Sequence, residues 1–284
     1  KIDKTASAML IMVKTITSNF FHTDIYIVNQ SSDLDLELSE SEMHLYSRQI
    51  LLDGWDIEAQ EKLKLSNVLI VGCGGIGCAS AELLARAGVG KMTLIDADTI
   101  EISNLQRQMA FTEMDLGFYK AEILAKRLMS INPHIQVNSI TAKLDASNAE
   151  SLIASQDVVL DGCDNFTTRY LVNAVCKQFN VPLISASAIG FQGQLFMVEG
   201  DSACYECLFP KEQHMNESLR CADSGVLATT PNVMASLQAH HALLYLGLNL
   251  TPIKQKLLLW DGLSMKQRIL GFNFDENCPI CQAR

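Results

Sequence analysis

The sequence predicts an α/β protein built on a doubly wound sheet, parallel in its first half and antiparallel in its second. Three observations carry that expectation. Short apolar runs alternate with helical patterns between residues 67 and 189, which is how a parallel sheet covered by helices reads. Gly72, Gly74 and Gly77 stand between the first apolar run and the next helical pattern. After Gly190 the alternation stops, and "FQGQLFMVEG", "KQKLLLWDG" and "SMKQRILGF" read as strands.

Taken in order, residues 1–38 stand apart as an N-terminal extension and linker, with residues 39–284 as the main domain. The extension mixes β-branched and aromatic residues and ends in the polar, acidic "SSDLDLE". It reads either as loosely ordered chain or as carrying a short strand at Ile25–Val28. Ser39 followed by Glu42 is a capping-box signature, opening a helix that runs through Tyr46 and Arg48. "NVLIVG" is a buried strand, "CASAELLARAG" a helix ended by Gly88, and "KMTLIDAD" the next strand. "YKAEILAKRLMSINP" is a helix stopped before Pro133. "IQVNSI" and "DVVLDGCDN" are strands, "TRYLVNAVCKQFN" a helix and "VPLISASAI" a strand. "ASLQAHHALLYLGL" is a late helix, followed by a strand pair turning around Asp261–Gly262.

Composition narrows the function. The chain has 284 residues, 48% of them hydrophobic, so a sizeable core is expected. A net charge of −10 argues against nucleic acid as a partner. No apolar run reaches the roughly 20 residues a membrane helix needs, and no secretory signal is evident, so the cytoplasm is the expected compartment. Nine cysteines there point to metal, chemistry or core filling rather than disulfides.

The glycine turn has the G-x-G-x-x-G spacing of a Rossmann-like dinucleotide site, where backbone N–H groups and a helix N-terminus meet phosphate. Asp96 lies 19 residues past Gly77, where a ribose-binding acid is expected. A site that only holds NAD has no use for the charge that crowds the next stretch. Asp98, Asn104, Arg107, Gln108 and Lys120 all fall there, and Arg and Lys stabilise phosphate charge. Asp161, Asp164 and Asn165 come at the end of a later strand, where a carboxylate can hold magnesium beside substrate phosphates.

Cys204 with Cys207, and Cys278 with Cys281, are two C-x-x-C knuckles that can close a structural Cys₄ zinc site. Redox or free thiols are the alternative. Cys221 stands alone beside Arg220, which favours its thiolate; it is either a chemical residue or an idle one. Cys73, Cys78, Cys163 and Cys176 read as small core residues.

"YSRQILL", "VLIVGCGGIG", "LIDADTIEISNLQRQ", the Lys120 helix, "LDGCDN", "SASAIGFQGQL" and the paired knuckles together resemble the ThiF/HesA/MoeB family from about Ser39 to the C-terminus. These are ATP-dependent activators of ubiquitin-like sulfur-carrier proteins, related to ubiquitin-activating enzymes. The resemblance implies adenylation of a carrier's C-terminal glycine carboxylate, with release of pyrophosphate. It implies that Gly75 and its neighbours line the ATP and that Asp96 binds the ribose. Ser103, Asn104, Arg107 and Lys120 would contact nucleotide, and Asp164 would be the Mg²⁺-linked acid. Arg48 matches an arginine that reaches into a partner subunit's site, implying a homodimer.

The wording of "YSRQILLD", "SASAIGFQGQL" and "CLFP" is more similar to the thiamine-pathway type than to the molybdopterin type. In the former, a cysteine matching Cys221 takes part in sulfur transfer. Without an appended rhodanese domain, a separate persulfide donor is expected. His241 and Leu244 depart from the Glu and Lys usual in relatives, and His241 is expected to be a partly buried structural residue. Two other readings stay open. One is an NAD-dependent oxidoreductase, which leaves Arg107 and Lys120 without a task. The other is a catalytically idle scaffold that keeps the knuckles but tolerates loss of Arg107 or Asp164.

Overall fold

The computed structural model describes residues 37–211 and 225–282. The possible strand at Ile25–Val28, the acidic linker up to residue 36 and Cys221 lie outside the described residues.

The described chain is built on one eight-stranded sheet in the order β3-β2-β1-β4-β5-β6-β7-β8. Strands β1 (Asn67–Val71), β2 (Lys91–Ile95), β3 (Gln136–Ile140), β4 (Val158–Asp161) and β5 (Leu183–Ile189) pair in parallel. Strands β6 (Gln192–Val198), β7 (Lys256–Asp261) and β8 (Lys266–Gly271) continue from β5 in antiparallel sense. This is the expected architecture. Because side chains alternate across a strand, β1 serves two cores at once. Val68 and Ile70 join the cluster on one face, and Leu69 and Val71 the cluster on the other.

The first face is covered by α3 (Asp56–Leu65), α4 (Gly77–Ala87), α5 (Lys120–Ile131) and α9 (Thr229–Leu248). The second is covered by α6 (Ala149–Ile153), α7 (Phe166–Phe179) and the short helices α8 (Tyr205–Leu208) and α10 (Pro279–Gln282). Helix α9 packs closely on β6 because Gly193 carries no side chain: a Cβ there would sit 2.1 Å from the Met234 sulfur.

The Ser39–Glu42 capping box forms as expected. The helix it opens is nevertheless divided at Tyr46, into α1 (Glu40–Leu45) and α2 (Ser47–Ile50). Tyr46 is buried, and its hydroxyl accepts from Asn132 Nδ2 at 2.7 Å. That cross-link secures the chain where the helix breaks. Helices α3 and α6, and the short α8 and α10, have no counterpart in the sequence pattern. Helix α9 starts six residues earlier than its apolar pattern, at Thr229 rather than Ala235. Pro231 lies in its first turn, where a missing N–H costs nothing. Among the described residues, no helix is long and apolar enough to cross a membrane.

Candidate functional site

The site sits at the carboxyl ends of β1, β2 and β4, neighbours in the sheet. Chain order reverses between β1 and β4, which is where ligands bind in open α/β sheets. Gly72 leaves β1 with φ +87°, a conformation that favours glycine. Gly77 opens α4 so close behind it that a Cβ would lie 1.8 Å from Gly72 O. A Cβ on Gly74 would meet nothing nearer than Gln108 Nε2 at 3.8 Å, so that side of the loop is open to a ligand.

Asp96 fixes this turn from β2. One carboxylate oxygen accepts from Cys73 N at 2.6 Å, the other from Asp98 N at 2.7 Å. Burial raises its pKa, while the two backbone donors pull the other way. Lys120, 6% exposed at the first turn of α5, places Nζ 2.8 Å from the exposed carboxylate of Asp98. Arg107 donates to Ser103 O at 3.0 Å, and its Cγ lies 3.5 Å from where a Gly75 Cβ would be. Thus Asp96, Asp98 and Lys120 are linked to one another at the glycine turn, and Arg107, held on Ser103 O, lies beside Gly75 of the same turn. Asn104 is buried, and its Oδ1 accepts from Glu101 N at 3.2 Å, shaping the loop. Gln108 is 2% exposed beside Gly74, with no hydrogen-bond partner at Oε1 among the described residues.

The turn after β4 touches the glycine turn directly: a Cβ on Gly162 would lie 3.1 Å from Gly77 N. Asp164 is exposed in this turn. Asn165 caps α7, its Oδ1 accepting from Thr168 N at 2.9 Å. Asp161 is not available as a ligand. It is fully buried, bound by Arg169 Nε at 2.9 Å, Ser185 Oγ at 2.5 Å and Cys163 N at 3.0 Å. Gln238 of α9 completes this interior by donating to Asp161 O and Ile184 O while accepting from Ser80 Oγ. Arg169 and Gln238 were not singled out in the sequence. The available signal was a charged residue and an amide inside otherwise apolar helical faces. Cys73, Cys78 and Cys176 are buried as expected, but Cys163 is only half-buried, because it sits in the β4–α7 turn. Arg48 is exposed on α2.

Cys204, Cys207, Cys278 and Cys281 converge, with all four sulfurs within 4.8 Å of one another. Three of the separations are 3.9, 3.6 and 3.7 Å, too long for disulfides. Four thiolates about 2.3 Å from a zinc ion stand about 3.8 Å apart in a tetrahedron, so the geometry suits that metal. Burial pushes the Cys281 thiol up to about 12, whereas at Cys207 burial is outweighed by hydrogen bonds that pull the thiol down. His241 is 8% exposed, with no partner at Nδ1 among the described residues, and burial pulls its pKa down to about 4. Its burial fits the packing role expected of it.

Comparison with known proteins shows the family. The profile of the ThiF family matches residues 46–280. Molybdopterin-synthase adenylyltransferase of Escherichia coli strain K12 is 40% identical over 86% of this chain and 98% of its own length. Sulfur carrier protein ThiS adenylyltransferase of the same organism is 40% identical over 86% of this chain and 97% of its own. A crystal structure of E. coli MccB with AMPCPP and selenomethionyl MccA superposes with TM-score 0.74 and 28% identity, covering 84% of this chain and 74% of that one. The chain belongs to the ThiF family and is, like these curated relatives, an adenylyltransferase.

Proposed function

We propose that the protein uses ATP to adenylate the C-terminal glycine carboxylate of a ubiquitin-like sulfur-carrier protein ending in Gly-Gly. Pyrophosphate leaves, and the acyl adenylate is the first step toward a thiocarboxylate. The observation that carries this reading is that Arg107 lies beside the glycine turn that Asp96 anchors, while Lys120 pairs with Asp98, whose N–H is held by the same Asp96.

A carboxylate is ionised at neutral pH, so the reaction needs no general base. Its barrier is the approach of one anion to another at the α-phosphorus. The turn from Gly72 to Gly77, with Gly75 at its centre, offers main-chain N–H groups to phosphate. Asp96 accepts from the ribose hydroxyls. Arg107 and Lys120 stabilise charge that spreads over the phosphate oxygens, and Ser103, Asn104 and Gln108 line the same loop. Asp164, with Asn165 beside it and Asp98 on the facing loop, would hold Mg²⁺, which supplies further neutralisation of the triphosphate. The cysteine cluster would hold Zn²⁺ with no open coordination position, a structural role. Arg48, exposed near the start of the domain, fits a residue that reaches into a second copy of a homodimer.

The thiamine-type carrier is the favoured substrate, on the wording of "SASAIGFQGQL" and "CLFP" and on Cys221 as a sulfur-transfer residue fed by a separate persulfide donor. The molybdopterin-type carrier is the second reading, since relatives of both kinds are 40% identical. Residues 39–284 form the adenylyltransferase domain, residues 1–38 an extension to it, and the cytoplasm is the compartment. ATP–pyrophosphate exchange with a panel of Gly-Gly carriers tests the whole. Exchange driven by the thiamine carrier supports the first reading, exchange by the molybdopterin carrier alone reverses the choice, and exchange with none removes the proposal.

A further inference from the structure

We propose that Arg169 is a positioning residue that holds the Asp164 turn in its working shape and ties it to the Cys204–Cys207 knuckle. The proposal rests on the metal-holding role given to Asp164 above. It concerns how that carboxylate is kept in place, three residues after the end of β4.

The turn hangs from the buried Asp161–Arg169 pair. Arg169 Nη2 donates to Cys163 O, the carbonyl just before Asp164, at 2.7 Å. The same nitrogen reaches Ala186 O at 3.1 Å, and Nε reaches Asp161 Oδ2 at 2.9 Å. Asp161 in turn holds Cys163 N at 3.0 Å. Both polar groups of the Cys163 main chain are thereby fixed by one ion pair that is closed to solvent. Asp164 itself is left exposed at the rim, so its direction is set by the main chain below it.

The same guanidinium faces the cysteine knuckle. Its carbon lies 5.9 Å from the centre of the Tyr205 ring, within cation–π range. Tyr205 is 2% exposed, sits between Cys204 and Cys207, and gives its N–H to Asn173 Oδ1 at 2.9 Å. Lys177 then donates to Gly200 O and Ser202 O, both at 2.8 Å, just ahead of Cys204. Arg169, Asn173 and Lys177 recur every four residues, so they share one face of α7. Helix α7 is a strut: its first turn carries the Asp164 turn, and its later turns carry the knuckle.

Lysine cannot replace this arginine. An ammonium keeps the charge beside Asp161 but is a single donor centre, with no planar fork to place one nitrogen on Asp161 Oδ2 and another on Cys163 O and Ala186 O. The test is therefore Arg169→Lys in the full chain, compared with Tyr205→Leu and Asp164→Asn. Exchange is measured against Mg²⁺ concentration, ATP binding is measured without Mg²⁺, and amide hydrogen exchange is followed at residues 162–165. For Arg169→Lys we expect half-saturating Mg²⁺ to rise about 10-fold or more, as when an outer-shell partner of a metal ligand is lost. Metal at the knuckle and Mg²⁺-free ATP affinity should stay within about 2-fold, and amide exchange at 162–165 should quicken. Tyr205→Leu should shift both readouts in the same direction, and it carries the test if Arg169→Lys does not fold. A wild-type Mg²⁺ dependence and wild-type amide exchange in Arg169→Lys or Tyr205→Leu, with Asp164→Asn shifted, overturns the proposal. A wild-type Mg²⁺ dependence in Asp164→Asn overturns instead the metal-holding role of Asp164.

Discussion

Gly77→Ala and Gly74→Ala differ by one methyl group each on the same turn, and the structure assigns them opposite consequences. A methyl at Gly77 would lie 1.8 Å from Gly72 O and 2.9 Å from Gly72 C, both main-chain atoms. Relieving that overlap means moving α4 off β1 by more than an ångström. The cost falls at the upper end of core overpacking, about 3 kcal/mol. In a domain of this size that lowers the melting temperature by roughly 6–12 °C. A methyl at Gly74 meets only the end of Gln108, at an ordinary 3.8 Å. Its melting temperature should stay within about 2 °C of wild type. Its nucleotide affinity should fall about tenfold or more, because the methyl covers the surface proposed to meet phosphate. Thermal denaturation and nucleotide titration of both variants suffice. Equal destabilisation of the two, or a Gly77→Ala protein as stable as wild type, would refute the account of the turn.

Arg107→Ala and Lys120→Ala should each slow ATP–pyrophosphate exchange by about 100-fold, near 3 kcal/mol of transition-state stabilisation, with little change in melting temperature. Undiminished exchange in both would remove their phosphate roles. Elemental analysis of the purified protein should find one metal equivalent that Cys207→Ser loses, and retention of a full equivalent in the variant would place the metal elsewhere. His241 has a folded-state pKa near 4, below its ordinary value of about 6.5. Its contribution to stability is therefore fully present above pH 6.5 and is lost as pH falls toward 4, on the order of 2 kcal/mol. His241→Leu should flatten the urea-denaturation midpoint across that window, and an unchanged acid limb would exclude the histidine as its cause. Cys221→Ser should leave adenylation intact and impair thiocarboxylate formation. Parallel loss of both would mean docking or folding instead.

The sheet and the glycine turn were legible because their signals are local. "NVLIVG" and "VVLD" are short and rich in apolar residues, and the strand–glycine–helix order has few other uses. The two knuckles were legible because paired spacing rarely arises otherwise. Helix α3 was not, because its sequence "DIEAQEKLKL" hides its buried face: the inward residues are Ala59, Gln60 and Leu63, one of them polar. Gln60 is satisfied only in three dimensions, donating to Ala87 O at 2.8 Å. Asp161 looked like a site residue for a similar reason. Its partner Arg169 lies eight positions away, across a turn, and only the fold shows that β4 ends with that carboxylate pointing inward. The start of α9 was obscured by Pro231, which breaks a helix anywhere except in its first turn.

The main-chain contact between the turns after β1 and β4 limits where substrate preference can be redesigned. With Gly162 against Gly77 N and Gly72 against Cys163 N, neither Gly72 nor Gly162 can accept a larger residue without displacing the facing turn. A protein engineer seeking a different nucleotide would therefore leave both turns alone. The exposed side chains between Asp98 and Arg107 are the positions to randomise, since substitutions there change what the cleft meets without shifting its floor.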